Sequence, residues 1–347
     1  MMDKTNTVSI ILPTYNRAGY IRDAIESVLK QTYGNFKLMI VDDGSTDNTE
    51  QVVAPYLSDK RVRYMKQPNS GAAAARNYGL TVREGDFVAF IDSDDIWEPE
   101  KLGIQVSIMA ALPEVALVCS DFSSITKSGS VEESHIRSYF SVFDDYNLNY
   151  PDIFSNSLKD KIDGLAHGEE VYWGNIYETM IFGNLVLTST CLIRSSVMDH
   201  VGVFDLRYTT LEDYDLFLKI SKIFPIALVG KPLIRYRYSD NQLSGEGHFG
   251  ALCVNLIEIF NKNIASIRDT AFFNNNRFKL RRHLGKYQAM KGYYHFKREE
   301  MRDAANCYRR GLANNPADFK SYMYLFFSLM PLSVSRFIRK MKSKMTN

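Results

Sequence analysis

Cysteine is scarce: Cys119, Cys191, Cys253 and Cys307 are spread over 347 residues with no CxxC spacing. They fit neither a zinc site nor a disulfide framework, and a reducing compartment is expected. Net charge is close to zero as well. Lys and Arg number 42 against 40 Asp and Glu, a formal +2, which gives no polyanion signal and argues against nucleic acid as a partner. Long apolar runs are also missing. No stretch reaches the ~18 apolar residues of a membrane span. The run in "MMDKTNTVSIILPTYN" is too short for a signal-peptide core and is stopped by Pro13. A soluble or peripheral protein is expected. Its 45% hydrophobic content suffices for one large domain with an appendage, or for two domains.

What the chain has is alternation. From Val8 to about Asp121, "VSIILPTYN", "FKLMIVDD", "VRYMKQ", "FVAFID" and "VALVCSDF" read as strands. Between them, "AGYIRDAIESVLKQT" places Ile21, Ala24, Ile25, Val28 and Leu29 at helical spacing, and "STDNTEQVVAPYL" and "GAAAARNYGLTVRE" also read as helices. Such alternation predicts an α/β fold with a mostly parallel sheet flanked by helices. Ligands of these sheets bind beyond the carboxyl ends of the strands. Three polar clusters follow strands here: "LPTYN", "VDDGSTD" and "IDSDD".

"FVAFIDSDDIWEPEKL" joins an uninterrupted apolar run to Asp92, Asp94 and Asp95, with Pro99 suited to the first turn of a helix. Three like charges so close repel one another unless something positive sits among them. A solvated loop is the alternative, because Asp and Ser are common turn residues. Convergence of three polar clusters on one sheet edge favours a cation. Residues 123–170 lose periodicity and read as an insertion or loop region. "NLVLTSTCLIR" then reads as a strand and "LEDYDLFLKISKIF" as a helix with an acidic start. From about Phe249 the pattern is helical throughout. "GYYHFKREEMRDAANCYRRGLANNPADFKSYMYLFF" resembles a single tetratricopeptide repeat. A lone repeat lacks stacking neighbours, so a docked helical hairpin is expected.

Six segments carry a more specific resemblance: "SIILPTYNR", "IVDDGSTDNT", "GAAAARNYGL", "FIDSDD", "GVFDLRYTTLEDYDLFLKI" and "YRYSDNQLS". In this order, over roughly residues 6–245, the chain resembles glycosyltransferase family 2, inverting nucleotide-sugar transferases of GT-A fold. The resemblance implies a nucleotide-sugar donor (UDP-linked), Mn²⁺ or Mg²⁺, and a hydroxyl of a glycan or lipid-linked acceptor in bacterial cell-surface glycan synthesis. It divides the chain into a transferase domain at 1–245 and a helical region at 246–347.

The same resemblance assigns residues. Asp92 and Asp94 form a DxD element around Ser93, with Asp94 on the metal and Asp92 on the ribose or metal shell. Pro13, Thr14 and Tyr15 lie against the nucleobase, Tyr15 for stacking, while Asp42 bonds the base edge. Arg76 binds near the base and Asp42. Arg17 reaches the phosphates or stays a solvated helix-start residue. Asp213 matches the family's base, with Glu212 beside it. An attacking hydroxyl needs a proton acceptor, and a helix N-terminus keeps a carboxylate ionised.

Asp43 is read as holding the Gly44 turn, Asp95 as a helix cap or surface carboxylate, and Asp215 and Leu216 as helix packing. Ser239 stands where many relatives carry His, which leaves a third protein ligand to the metal in doubt. Arg235 and Arg237 face the diphosphate or are edge-strand charges. Two other functions compete. A polyprenyl-phosphate sugar synthase has an anionic acceptor that needs no base, and a non-catalytic scaffold would act through the helical C-terminus. The last segment, "SYMYLFFSLMPLSVSRFIRKMKSKM", joins an aromatic-rich apolar stretch to Arg336, Arg339, Lys340, Lys342 and Lys344. It is expected to rest on the inner face of the cell membrane, leaving the protein cytoplasmic and peripheral.

Overall fold

The computed structural model describes residues 6–125, 131–132, 136–159, 162–238 and 246–331. The chain divides into two compact units, Met1–Gln242 and Leu243–Asn347.

The first unit opens with β1 (Val8–Thr14), α1 (Ile21–Leu29), β2 (Phe36–Asp42), α2 (Thr49–Val53), β3 (Val62–Lys66), α3 (Ala72–Thr81) and β4 (Phe87–Phe90). Then come β5 (Ile96–Trp97), α4 (Lys101–Ala111), β6 (Leu117–Ile125), β7 (Val131–Glu132), α5 (Ile136–Tyr139), α6 (Val142–Tyr146) and α7 (Tyr150–Ile153). It closes with β8 (Asn156–Lys159), β9 (Glu170–Gly174), α8 (Tyr177–Met180), β10 (Leu192–Arg194), α9 (Ser195–Val201), α10 (Glu212–Ile223) and β11 (Ile226–Arg237). The strands make one sheet in the order β3-β2-β1-β4-β10-β6-β11-β9-β8, with β5 on β11 and β7 on β6.

β1 to β4 pair in parallel, and β1, β2 and β4 are covered on both faces, while β3 is the half-exposed edge. All seven residues of β1 and all four of β4 are buried. Burying each Val, Leu, Ile or Phe contributes roughly 1.5–3 kcal/mol. Pairing sets Thr14 against Asp42 and Ile11 against Phe90, so the polar tails of three neighbouring strands leave the sheet side by side. β10 runs antiparallel between β4 and β6, making the sheet mixed, while β6 and β11 are parallel.

Three local expectations change. The helix expected at "STDNTEQVVAPYL" is shorter: α2 stops at Val53 and a 3₁₀ turn runs from Ala54 to Ser58, where Pro55 has no N–H for a helical bond. α4 begins at Lys101 with Glu100 at its N-cap, so Pro99 precedes the helix. The strand expected at "NLVLTSTCLIR" is a 3₁₀ turn at Thr188–Thr190 followed by the three-residue β10. Within the region read as an insertion, the described residues form the end of β6 with β7, α5 to α7, and β8 paired with the start of β9.

The second unit contains α11 (Phe249–Ser266), α12 (Ala271–Lys297), α13 (Met301–Asn314) and α14 (Phe319–Leu329). Phe296, Ala304, Tyr308 and Tyr324 form a core joining the last three helices. α14 also leaves Phe319, Tyr322, Met323, Phe326 and Leu329 exposed, Phe319 by 85%. Among the described residues, no helix is long and apolar enough to cross a membrane.

Candidate active site

The segments after β1 and β2 are stitched together by side chains from both, with Ser45, Thr49 and Asp47 accepting from the N–H groups of Asn16, Arg17 and Ala18. Asn16 sits in the left-handed region (φ 52°), and its Oδ1 accepts from the backbone N–H of Thr46 (2.8 Å) and Asp47 (3.3 Å). Pro13 and Thr14 are buried beneath this loop, and Tyr15 projects from it with 45% exposure. Among the described residues, the buried Thr14 hydroxyl has no hydrogen-bond partner. Asp42 is fully buried; it accepts from Ser45 N–H (2.7 Å) and from the Tyr64 hydroxyl. Burial and the Asp42 carboxylate together push the Tyr64 phenol above its ordinary range. Asp43 does not hold the Gly44 turn as expected. It accepts from Gln67 Nε2 (2.7 Å) and from the N–H of Ser70 and Gly71 (each 2.8 Å), and so fixes the entry to α3.

Arg76 projects from α3, and its partners differ from the expected Asp42. Nη1 donates to Glu212 (2.7 Å) and Nη2 to Asp92 (2.7 Å). Burial would lower this guanidinium's pKa, but Asp92 and Glu212 outweigh it and hold it above the ordinary value. One buried cation therefore ties the loop after β4 to the start of α10. Ser93 and Asp94 are buried beside Asp92, and Arg17 comes within 4.0 Å of Asp94.

Asp95 is neither a surface carboxylate nor a helix cap. It is buried, accepts from Ser189 Oγ (2.5 Å) and from Arg237 N–H (3.2 Å), and is held well above the usual carboxylate range by burial, then by Asp94 and Asp92. Arg235 pairs with Glu98 (2.6 Å), and Arg237 pairs with Asp23 (2.8 Å) while donating to the Asp94 carbonyl (3.1 Å). Ser239 lies outside the described residues.

α10 opens abruptly. Leu211 takes a left-handed conformation (φ 65°) just before it, a strain of order 1–3 kcal/mol for such a residue. The turn delivers Glu212 to Arg76 and leaves Asp213 half-buried. Asp213 Oδ2 accepts from Thr188 Oγ1 (2.8 Å) and Oδ1 from Tyr214 N–H (2.7 Å). Burial pushes the Asp213 carboxyl up to about 6, with Glu212 adding to the rise and Arg76 and Thr188 opposing it. Asp215 is buried and paired with Lys219 (2.7 Å), and Leu216 is fully buried, so both serve packing. Thr188 and Ser189 are not legible as site residues in the sequence, because hydroxyls within an apolar run carry no signal of their own.

Residues 9–165 match Glycosyl transferase family 2. An uncharacterized glycosyltransferase of Rickettsia felis is 33% identical over 238 residues, 68% of this chain and 35% of that protein. The chain is similar to glycosyltransferase family 2, whose model its residues 9–165 match. It is 48% identical over 103 residues to an Escherichia coli protein, 29% of this chain and 40% of that one. That protein is the UDP-Glc:alpha-D-GlcNAc-diphosphoundecaprenol beta-1,3-glucosyltransferase WfgD. The chain thus spans well under half the length of these two relatives.

The fold of this chain is GT-A. Staphylococcus aureus TarS 1–349 in complex with UDP-GlcNAc aligns over 91% of both chains with a TM-score of 0.55 at 18% identity. The mannosyltransferase PcManGT of Pyrobaculum calidifontis, in complex with GDP-Man and Mn²⁺, aligns over 93% of this chain and 79% of its own with a TM-score of 0.55 at 16% identity.

Proposed function

We propose that this chain is an inverting glycosyltransferase that moves a sugar from a nucleotide-diphosphate donor, UDP-linked, to an acceptor hydroxyl in bacterial cell-surface glycan synthesis. The observation that carries the proposal is the Arg76 bridge, with 2.7 Å contacts to both Asp92 and Glu212. It ties Asp92, expected at the donor, to Glu212, the chain neighbour of Asp213, which is expected to act as base. In the reaction, the acceptor oxygen bonds to the anomeric carbon as the bond from that carbon to the diphosphate oxygen breaks. The nucleoside diphosphate leaves with the electron pair, and Asp213 takes the acceptor proton. A single displacement inverts the anomeric centre. With its carboxyl titrating near 6, Asp213 is mostly ionised at neutral pH and close to the proton affinity that suits a general base.

Pro13, Thr14, Tyr15 and Asp42 would hold the nucleoside. The buried hydroxyl of Thr14, unpartnered among the described residues, is the kind of group a polar ligand satisfies. Arg17 and Ser93 would lie along the diphosphate. The donor set also fits a divalent cation. No cluster of three metal-ligating side chains occurs among the described residues, and Mg²⁺ or Mn²⁺ at nucleotide sites takes one or two carboxylates and completes its shell with phosphate oxygens and water. Asp94, with Asp92 at its edge, would hold it. When bound, the cation supplies charge neutralisation of the departing diphosphate.

The relative named for transfer from UDP-Glc to a diphosphoundecaprenol-linked sugar supports a UDP donor and a lipid-linked acceptor. The exposed apolar face of α14, followed in sequence by five basic residues and no acidic ones, supports contact with the inner membrane surface. The test is single-turnover transfer by Asp213→Asn at saturating donor and acceptor. Transfer should fall by ~10²–10⁴-fold, with UDP affinity unchanged. Near-normal turnover in a well-folded variant would overturn the proposal and reopen the phosphate-acceptor reading.

A further inference from the structure

The 3₁₀ turn Thr188–Ser189–Thr190 is fully buried, and its side chains point in two functional directions. Thr188 Oγ1 donates to Asp213 Oδ2 (2.8 Å). The next residue, Ser189, donates from Oγ to Asp95 Oδ2 (2.5 Å) and accepts there from Asp92 N–H (3.0 Å). The turn is itself anchored. Trp97 Nε1 donates to the Ser189 carbonyl (3.0 Å), and Gln105 Nε2 to the Thr190 carbonyl (2.7 Å). A closed ring results. Asp92 connects through Arg76 to Glu212, Glu212 is bonded to Asp213, Asp213 connects to Thr188, and Ser189 returns to Asp92.

We infer that Thr188 is a positioning residue for Asp213, and that the Thr188–Ser189 turn fixes the spacing between base and donor carboxylates. The inference rests on Asp213 being the base. A hydroxyl aimed at Oδ2 does two things for a proton acceptor. It selects one orientation of the carboxylate, and it favours the ionised form, as any donor to a carboxylate does. The groups facing Asp213 are Glu212 from its own helix, Arg76 from α3, Tyr139 from α5 and Cys191 beyond the turn. Among these, Arg76 also favours ionisation. Thr188 differs from Arg76 in carrying no charge, so its removal changes orientation and ionisation without breaking the Asp92–Glu212 bridge.

The test compares Thr188→Val, which keeps the branched shape and loses the hydroxyl, with Thr188→Ser, which keeps the hydroxyl. Both are assayed for single-turnover transfer from pH 5 to 8, with UDP affinity and a thermal melt alongside. In Thr188→Val the acid limb should move to higher pH, lowering transfer at pH 6 by about 3- to 10-fold relative to its own plateau, since a tenfold change in ionised fraction corresponds to one pH unit. Thr188→Ser should restore the limb, and UDP affinity should stay unchanged in both. If Thr188→Val fails to fold, Thr188→Ala takes its place. A folded hydroxyl-less variant with the wild-type limb overturns the inference. So does a loss shared equally by Val and Ser, which marks Thr188 as structural only. Asp213→Asn, run in parallel, separates the two failures. If it keeps turnover, the base assignment falls. If it loses turnover while Thr188→Val shifts nothing, only the role of Thr188 falls.

Discussion

As the proposed base, Asp213 would impose a pH dependence with a definite sign. Its carboxyl sits near 6 instead of the ordinary 3.8, and a base works only when ionised. Transfer should therefore rise with pH and level off above about 6, as read from kcat over a pH series. Stability should run the other way. The folded state holds this proton more tightly than the unfolded chain, so the group's contribution is fully present below about 4 and is lost as pH rises through 6. Asp213→Asn should remove that decline from the melting temperature, and an unchanged decline would assign it to another group. Arg76 is the other residue with a large expected effect. Arg76→Met leaves Asp92 and the buried Glu212 without their cation, and breaking such a pair typically costs ~3–5 kcal/mol. Chemical denaturation measures this; a loss under 1 kcal/mol would show that water compensates the carboxylates.

At the scale of elements, α3 lies against β1 at Gly79. A Cβ there would stand 2.6 Å from Ile11 Cγ2, inside any tolerable contact. Gly79→Ala should cost ~1–3 kcal/mol by overpacking and displace Arg76 one turn earlier in the same helix, so transfer should fall with stability. Wild-type stability would mean that β1 shifts to accommodate the methyl.

The alternation of elements was legible because strands covered on both faces read as unbroken apolar runs, and their polar tails had to emerge together. DxD and ED stood out because acidic residues interrupt those patterns. Their partners did not stand out. Nothing local to "AAAARN" tells Arg76 whether to seek Asp42, Asp92 or Glu212, and three adjacent carboxylates do not disclose that Asp95 is the one turned inward. "LVLTST" misled for a physical reason. Its β-branched residues favour a strand, yet Thr188 and Ser189 are committed to carboxylates on other elements, and those tertiary bonds override propensity.

At the scale of the whole molecule, the open face of α14 and the basic segment after it make one prediction about partners. Residues 332–347, which include Arg336 and Lys344, lie outside the described residues, but the helix leading into them leaves Phe319 85% and Phe326 58% exposed. The full-length protein should sediment with vesicles containing phosphatidylglycerol, less so in high salt, because each basic residue near anionic lipid contributes on the order of 1 kcal/mol. The double variant Phe319→Ser/Phe326→Ser should bind more weakly. Equal binding to neutral vesicles, or by that variant, would leave the face without a membrane role.

The four thiols divide evenly between the two units: Cys119 and Cys191 in the first, Cys253 and Cys307 in the second, all unpaired and buried. Burial also pushes Cys191 up to about 12 and Cys253 to about 11, so none offers a ready thiolate. The molecule thus carries two native clocks. A thiol reagent should be silent on the intact protein and react only as each unit opens. Peptide mass spectrometry during a slow denaturant ramp should then time the transferase unit and the helical unit independently, with no label introduced.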